Sequence, residues 1–208
     1  MATPIATNQV VNTYPIPRLV IVSPCYNEEA ILAYSANELT LLLERLIATN
    51  KILPKSHILY VNDGSRDRTW EMIEELHREN PFVDGLCLAG NVGSELAVMA
   101  GLVAAKDEAD VVVSIDADLQ DDLGAIEEMI DRYLEGYDIV YGVKKSRQAD
   151  PFLKRTTAQA FYRLQQSMGI RMVYNHTNFR LMSQRALEAL SRYPERNLYL
   201  RGIIPMLG

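Results

Sequence analysis

The stretch VVVSIDADLQDD, residues 111–122, places a run of β-branched residues directly before a cluster of acids. The apolar run at 111–115 is typical of a buried strand. If the backbone stays extended beyond this run, side chains two residues apart point in the same direction. We therefore expect Asp116, Asp118 and Gln120 to face one location just beyond the end of a strand.

A divalent metal ion is the expected occupant of that location. Two unit charges about 4 Å apart repel by about 4 kcal/mol at an effective dielectric constant near 20, unless a cation lies between them. Oxygen ligands suit Mg²⁺ or Mn²⁺, which usually keep open positions for substrate phosphates. Since open α/β sheets bind ligands beyond the carboxyl ends of their strands, the motif predicts a metal site for a phosphate-bearing substrate.

The acidic run has two other interpretations. A calcium loop would need a glycine where Asp121 stands and a helix, not a strand, before it. A solvated acidic turn accounts for Asp121 and Asp122, because negative charge suits the start of a helix. It accounts less well for Asp116 and Asp118, which adjoin the buried run.

Outward from this stretch, short apolar strands alternate with amphipathic helices. The pattern predicts strands at 19–23, 57–61, 83–88, 111–115 and 137–141, and helices at 27–50, 68–79, 94–106 and 123–134. Such alternation implies an α/β fold with a mostly parallel sheet covered by helices on both faces. Asp67 and Ser94 are the expected N-caps of the second and third helices.

The end of the chain has a different charge. Residues 1–143 hold 9 basic and 24 acidic residues, whereas 144–208 hold 12 basic and 3 acidic ones. We predict a basic loop and an amphipathic helix over 144–168, then a strand at 177–181 and a helix at 184–192. The asymmetry indicates an anionic partner, either a phosphorylated substrate or a phospholipid surface. Nucleic acid is least favoured, since no recognition motif is present.

The length of 208 residues and the composition predict one domain. We divide the chain into a flexible leader, 1–17, and a domain, 18–208, with neither a signal peptide nor an apolar run long enough for a membrane span. The fragment is expected to be soluble. Cys25 and Cys87 provide no disulfide framework, and we expect two buried free thiols of a reducing compartment.

Polar residues also follow the first two strands. Tyr26 and Asn27 could stack on and hydrogen-bond a planar base, and Glu28 could accept from ribose hydroxyls. A simple strand-to-helix turn would have the same composition. Asp63 likewise fits either a common turn or a contact to a nucleotide base.

Basic residues follow the fifth strand, at the same sheet edge as the acidic run. Lys144, Lys154 and Arg155 either bind phosphate or form a solubilising face. Their position favours phosphate, because parallel strands bring their carboxyl ends together.

Together these segments resemble family 2 of the glycosyltransferases, which have the GT-A fold. The resemblance covers 18–208 and rests on SPCYNEE at 23–29, VNDGS at 61–65, SIDADLQDD at 114–122 and YGVK at 141–144. FRLMS at 179–183 and LRG at 200–202 resemble the branch of dolichyl-phosphate mannose synthase and bacterial polyprenyl-phosphate glycosyltransferases. Within this branch, VYNH at 173–176 and NLYLRGIIP at 197–205 look most like undecaprenyl-phosphate sugar transferases.

The resemblance implies an enzyme that moves a hexose from a nucleotide sugar to polyprenyl phosphate with inversion at the sugar C1. UDP-glucose and UDP-N-acetylglucosamine are the expected donors, and the cytoplasmic face of the bacterial cell membrane is the expected location. Relatives continue into transmembrane helices, so we interpret this chain as a catalytic domain whose basic part lies on the bilayer. A homo-oligomer is compatible with this resemblance.

The resemblance also assigns residues to roles. It implies nucleotide contacts from Pro24, Tyr26, Asn27, Glu28, Asp63 and Asp116. The expected metal ligands are Asp116, Asp118 and Gln120. The expected phosphate contacts are Lys144, Lys154, Arg155, Arg180 and Arg201. The expected catalytic residues are Asp118, Asn178, Arg180 and Arg201.

Two alternative functions stay open. A lipid phosphate is already ionised and needs no strong general base, but a saccharide acceptor would need a carboxylate, for which Asp150 is the nearest loop candidate. The branch usually carries an aspartate where this chain has Asn178. The second alternative is therefore a catalytically impaired module that binds a nucleotide sugar.

Overall fold

Six strands and six helices make up the described part of the fold. The computed structural model describes residues 15–143, 176–193, 200–204 and 207. The strands are β1 (Leu19–Cys25), β2 (His57–Asn62), β3 (Val83–Cys87), β4 (Val111–Ser114), β5 (Ile139–Val143) and β6 (His176–Ser183). The helices are α1 (Leu32–Ala48), α2 (Thr69–Glu79), α3 (Ser94–Ala105), α4 (Gly124–Leu134), α5 (Gln184–Ser191) and α6 (Leu200–Ile203).

The six strands form one sheet in the order β3-β2-β1-β4-β6-β5. Strands β1 to β4 are parallel to one another, which confirms the mostly parallel sheet. Strand β6 runs antiparallel to both β4 and β5, with Ser114 opposite Arg180 and Tyr141 opposite the same arginine. The order reverses beside β1 and β4, so the carboxyl ends of β1, β2 and β4 meet at one edge, where α/β proteins bind ligands.

Helices cover both faces of the sheet, as predicted. On one face, buried side chains of α1, α2 and α4 pack against the odd-numbered residues of β1, such as Leu19 and Ile21. On the other face, α3, α5 and Ile204 pack against Val20 and Val22. The alternation of the two sets along β1 follows from the two-residue period of a strand, and their complete burial explains the unbroken apolar sequence.

The first helix begins later than predicted. Helix α1 starts at Leu32 rather than at Asn27, because Asn27 has a left-handed backbone with φ of 57° and residues 28–31 form a turn. Strand β1 in turn extends two residues further, to Cys25. These shifts leave residues 26–31 as a loop over the sheet edge.

Four smaller expectations are also wrong. Strand β5 begins at Ile139, two residues after the predicted start. Gly93, not Ser94, is the N-cap of α3, and Arg68 is the N-cap of α2, although the Asp67 side chain still accepts the Thr69 amide hydrogen at 3.0 Å. Cys25 is buried but Cys87 is exposed, since β3 is the edge strand of the sheet.

Several predictions concern residues outside the described ranges. They include the leader up to residue 14, the basic loop and helix over 144–168, and the phosphate contacts Lys144, Lys154 and Arg155. Across the described ranges, no helix has the length and apolar character needed to cross a membrane.

Candidate active site

A cavity of about 360 Å³ opens at the carboxyl ends of β1, β2 and β4. We call it the strand-end cavity. Three chain segments that follow these strands and the loop after β3 contribute its walls. The described residues that line it are Pro24, Cys25, Tyr26, Glu28, Asp63, Asn91, Gly93, Ser94, Asp116, Ala117 and Asp118. The topology thus brings together most of the residues that the sequence assigns to the nucleotide.

The loop after β1 is fixed by the turn after β2. The backbone amide of Asn27 donates to Ser65 Oγ at 3.0 Å, and the amide of Glu28 donates to Thr69 Oγ1 at 2.8 Å. The Asn27 side-chain oxygen accepts from the Arg66 amide at 2.8 Å. Asn27 is therefore held in the loop and does not line the strand-end cavity, whereas Tyr26, which is exposed, and Glu28 do.

Asp63 is almost fully buried at the end of β2, with 3% of its surface exposed. Its two carboxylate oxygens accept backbone hydrogen bonds from Val92 at 2.6 Å and from Gly93 at 3.0 Å. These two amides belong to the loop between β3 and α3. The predicted contact from Asp63 to a nucleotide base stays a prediction, but the structure gives this carboxylate a second, structural task.

The acidic run after β4 forms a turn and not an extended segment. The amide of Leu119 donates to the carbonyl oxygen of Asp116 at 3.2 Å, and Leu119 has a left-handed backbone with φ of 49°. Asp116 and Asp118 line the strand-end cavity, but Gln120 lines a different cavity beside β5. The expected common direction of the three side chains is wrong, because the turn reverses the backbone before Gln120.

The carboxylates of the strand-end cavity act on one another electrostatically. Burial raises the pKa of Glu28, and the negative charges of Asp118, Asp67 and Asp116 raise it further. No Lys or Arg is among the described lining residues. The described lining residues therefore leave the negative charge of these carboxylates uncompensated, and a bound cation would neutralise it.

The donor set of the cavity fits a divalent cation that is shared with a substrate. Among the described residues, no three His, Cys, Asp or Glu side chains come together as a complete metal site. Mg²⁺ commonly binds through one or two carboxylates and completes its shell with waters and substrate phosphates. Asp116 and Asp118, two oxygen donors beside an open cavity, match this pattern.

Cys25 lines the strand-end cavity with a buried free thiol. Burial raises the pKa of its thiol well above the usual range, and the charges of Glu28 and Asp67 act in the same direction. Since the thiolate is the reactive form, a nucleophilic role does not fit.

Asn178 and Arg180 lie on β6 beside the end of β4, and neither is among the described residues that line the strand-end cavity. Asn178 is 8% exposed and Arg180 is 1% exposed. The Arg180 Nε and Nη2 atoms donate to the backbone oxygen and to Oδ1 of Asn178, both at 3.3 Å, and Ser114 Oγ donates to the same backbone oxygen. Burial raises the pKa of the neighbouring Tyr141, while the charge of Arg180 opposes the shift. The backbone of Arg201 belongs to α6.

Sequence reasoning missed the loop between β3 and α3. Asn91, Gly93 and Ser94 line the strand-end cavity, yet only the glycines at 90 and 93 indicated a turn there. It also missed a second cavity of about 560 Å³, here called the β5 cavity. Its lining includes Gln120, Arg132, Tyr141, Val143 and Phe179.

Comparison with known proteins identifies the family. The sequence model of glycosyl transferase family 2 matches residues 20–191, so the chain belongs to this family. It is 52% identical over 192 residues to the uncharacterized glycosyltransferase YkoT of Bacillus subtilis, covering 92% of this chain and 57% of that protein. It is 38% identical over 152 residues to the bactoprenol glucosyl transferase of Shigella phage SfV, covering 73% of this chain and 49% of that protein.

Solved structures confirm the GT-A fold. The mannosyltransferase PcManGT of Pyrobaculum calidifontis, solved with GDP-mannose and Mn²⁺, superimposes with a TM-score of 0.61 at 18% identity. The match covers 95% of this chain and 54% of that one. The chain thus spans a little over half the length of PcManGT and YkoT, and about half that of the phage enzyme.

Proposed function

We propose that this chain carries out metal-dependent, inverting transfer of a hexose from a nucleotide sugar to polyprenyl phosphate. The observation that carries the proposal is the strand-end cavity, where Glu28, Asp116 and Asp118 meet without a described basic residue. Membership of family 2 supports the reaction class. The 38% identity to a bactoprenol glucosyl transferase supports the lipid phosphate acceptor.

The residues of the cavity suit the donor half of the reaction. Asp116 and Asp118 would hold the divalent ion, and Tyr26 and Pro24 would lie against the nucleoside. When bound, the ion would supply positive charge to the diphosphate of the donor. UDP-glucose and UDP-N-acetylglucosamine are the proposed donors.

The acceptor half of the reaction needs little acid–base chemistry. An oxygen of the lipid phosphate attacks C1 of the sugar, the bond from C1 to the diphosphate breaks, and the nucleoside diphosphate leaves. The configuration at C1 inverts because attack and departure occur on opposite faces. A phosphate is already an anion at neutral pH, so no side chain has to remove a proton. Lys144, Lys154, Arg155, Arg180 and Arg201 are the proposed phosphate contacts, and the bacterial membrane surface is the proposed location.

Binding and transfer are tested in two experiments. Thermal unfolding is measured with UDP-glucose, UDP-N-acetylglucosamine and GDP-mannose, each with and without Mn²⁺. We expect one donor to raise the melting temperature only when metal is present, since a ligand stabilises the folded state it binds. Transfer is then measured with that donor and detergent-dispersed undecaprenyl phosphate.

The possible outcomes separate the candidate functions. Formation of a glycosyl lipid phosphate supports the proposal. Transfer to a saccharide but not to the lipid phosphate replaces it with the saccharide-acceptor alternative. Metal-dependent donor binding without turnover on any acceptor indicates a module that only binds nucleotide sugar.

A further inference from the structure

Helix α3 is apolar on its outer side as well as on the side that packs against the sheet. The residues on its buried side are Ala97, Val98, Gly101, Leu102 and Ala105. A Cβ atom placed on Gly101 would lie 2.4 Å from Cγ1 of Val22 and 2.8 Å from Cγ2 of Val61, so the helix backbone lies very close to the sheet. This packing is complete without the other apolar residues of the helix.

Those other residues form a stripe that faces away from the sheet. Positions i, i+3, i+4 and i+7 lie on one side of a helix, and in α3 they are Leu96, Met99, Ala100 and Val103, here called the α3 stripe. Leu96 is 37% exposed and Val103 is 46% exposed, with half-buried residues between them. A surface helix ordinarily has polar residues on this side, so the stripe indicates a surface for a partner.

The charges beside the stripe do not suit an anionic surface. Residues 88–110 hold four acidic residues and one basic residue. Helices that lie on a bilayer usually carry several Lys and Arg residues next to their apolar side, and α3 does not. A lipid surface is therefore a poorer partner for this helix than a protein surface.

The same charges are complementary to themselves. Glu95 comes just before the α3 stripe and Lys106 just after it, and at about 100° per residue both lie on the same flank of the helix, roughly 20° apart. When two such helices lie antiparallel, residues of the same flank face each other. Each Glu95 then meets a Lys106, whose Nζ lies 3.5 Å from Asp107 in its own chain.

We propose that two copies of this chain associate through their α3 stripes, with the helices antiparallel about a two-fold axis. In this arrangement one patch contacts itself, and the axis passes between Met99 and Ala100. Leu96 of each copy then packs against Val103 of the other. The charge complementarity at the two ends favours a second copy as the occupant and fixes the antiparallel direction.

This proposal does not depend on the proposed function, but it places the interface beside the candidate active site. Gly93 and Ser94 line the strand-end cavity, and Leu96 follows within the first turn of α3. The start of one helix thus belongs both to the cavity wall and to the interface.

The first test is the oligomeric state of the 208-residue chain. Sedimentation is measured from about 1 to 300 µM, because an interface of one helix pair is small and binds weakly. We expect a dimer that forms as the concentration rises, and Val103→Glu should raise its dissociation constant at least about a hundredfold by placing a charge in the contact. Asn37→Glu, exposed on α1 at the other face of the sheet, is the control. A chain that stays monomeric throughout would overturn the proposal.

Charge reversal tests the antiparallel pairing itself. Glu95→Lys and Lys106→Glu should each weaken the dimer about tenfold, and the double variant should return to within about threefold of the wild type. The two positions lie about 16 Å apart along one helix, so a contact within one copy cannot produce this rescue. Thermal unfolding checks that each variant is folded. A wild-type dimer that either reversal leaves unchanged, or that the double variant does not restore, would place the interface elsewhere.

Vesicles of phosphatidylcholine and phosphatidylglycerol test the competing occupant. We expect Val103→Glu to leave cosedimentation of the chain with these vesicles unchanged. A monomeric chain that binds the vesicles and loses this binding in Val103→Glu would assign the α3 stripe to a membrane and overturn the proposal.

Discussion

The Oδ1 atom of Asn178 accepts a hydrogen bond from Nη2 of Arg180 at 3.3 Å, and both side chains are buried on β6 between β4 and β5. An amide oxygen therefore occupies the place in which related sequences are expected to carry a carboxylate. Replacing Asn178 by aspartate therefore tests both the contact with Arg180 and the hypothesis that the asparagine impairs catalysis.

Asn178→Asp should convert a neutral hydrogen bond into a charge-assisted pair with Arg180. We expect the free energy of unfolding at pH 7 to rise by about 1 kcal/mol. Arg180 should depress the pKa of the new carboxyl, so the gain is present above its unfolded pKa of about 4 and is lost as the pH falls through the folded value. Urea unfolding from neutral to acid pH measures the gain.

The same variant tests catalytic impairment through turnover. Unchanged or lower turnover in Asn178→Asp would show that the asparagine does not limit activity. A rise in turnover of about tenfold or more would show that it does. A fall in stability at neutral pH would contradict the expected ion pair. Asn37→Asp, an exposed substitution on α1, is the control for added charge alone.

Asp118→Asn should abolish metal-dependent activity. The carboxylate of Asp118 lines the strand-end cavity, and an amide is a much weaker ligand for a hard cation. We expect transfer to fall by at least about a hundredfold, comparable to wild type treated with a chelator. Asp107→Asn removes an exposed carboxylate at the far end of α3 and should leave activity intact. Normal activity of Asp118→Asn in the presence of chelator would exclude the proposed metal site.

Glu28→Gln should stabilise the metal-free protein at neutral pH. Because burial and neighbouring carboxylates raise the pKa of Glu28, its ionised form opposes folding. Below its unfolded pKa of about 4.3 the wild type has no such penalty. The penalty grows as the pH rises from that value to the higher pKa of the folded state, and it is constant above it. We expect the variant to gain less than about 1 kcal/mol at pH 7.

Urea unfolding from acid to neutral pH without divalent ions measures this difference, with Glu44→Gln on the outer face of α1 as the control. Added Mn²⁺ should reduce the advantage of Glu28→Gln, because the cation compensates the same charge. An advantage that is constant with pH would show that charge repulsion is not its cause.

Ser35 and Tyr60 provide a buried polar contact in the core between α1 and β2. Their side-chain oxygens lie 3.0 Å apart, and both residues are completely buried. Tyr60→Phe should cost about 1 to 3 kcal/mol of unfolding free energy, because the Ser35 hydroxyl loses its partner. The double variant with Ser35→Ala should cost less than the sum of the two single changes. Additive costs would contradict the contact.

The strand and helix positions followed from local patterns. Strands β1, β2 and β4 contain consecutive apolar residues at 19–22, 58–61 and 111–113, and the amphipathic spacing of α1 and α4 matches one covered face. The observed helix and strand boundaries differ from the predicted ones where side chains from distant loops contact the end of an element. Helix α1 begins at Leu32 because Asn27 is held by Ser65 and Arg66, and nothing near Asn27 in the sequence reports that contact.

The sequence by itself determined the alternating α/β architecture and the acids at the strand ends, because short-range periodicity and motif order encode both. Only the tertiary structure decided that β6 enters the sheet antiparallel between β4 and β5. It also decided that Gln120 turns away from Asp116 and Asp118, and that Asp63 holds the loop at Val92 and Gly93. These features depend on contacts between residues far apart in the chain and on one left-handed turn at Leu119, and local periodicity carries no information about either.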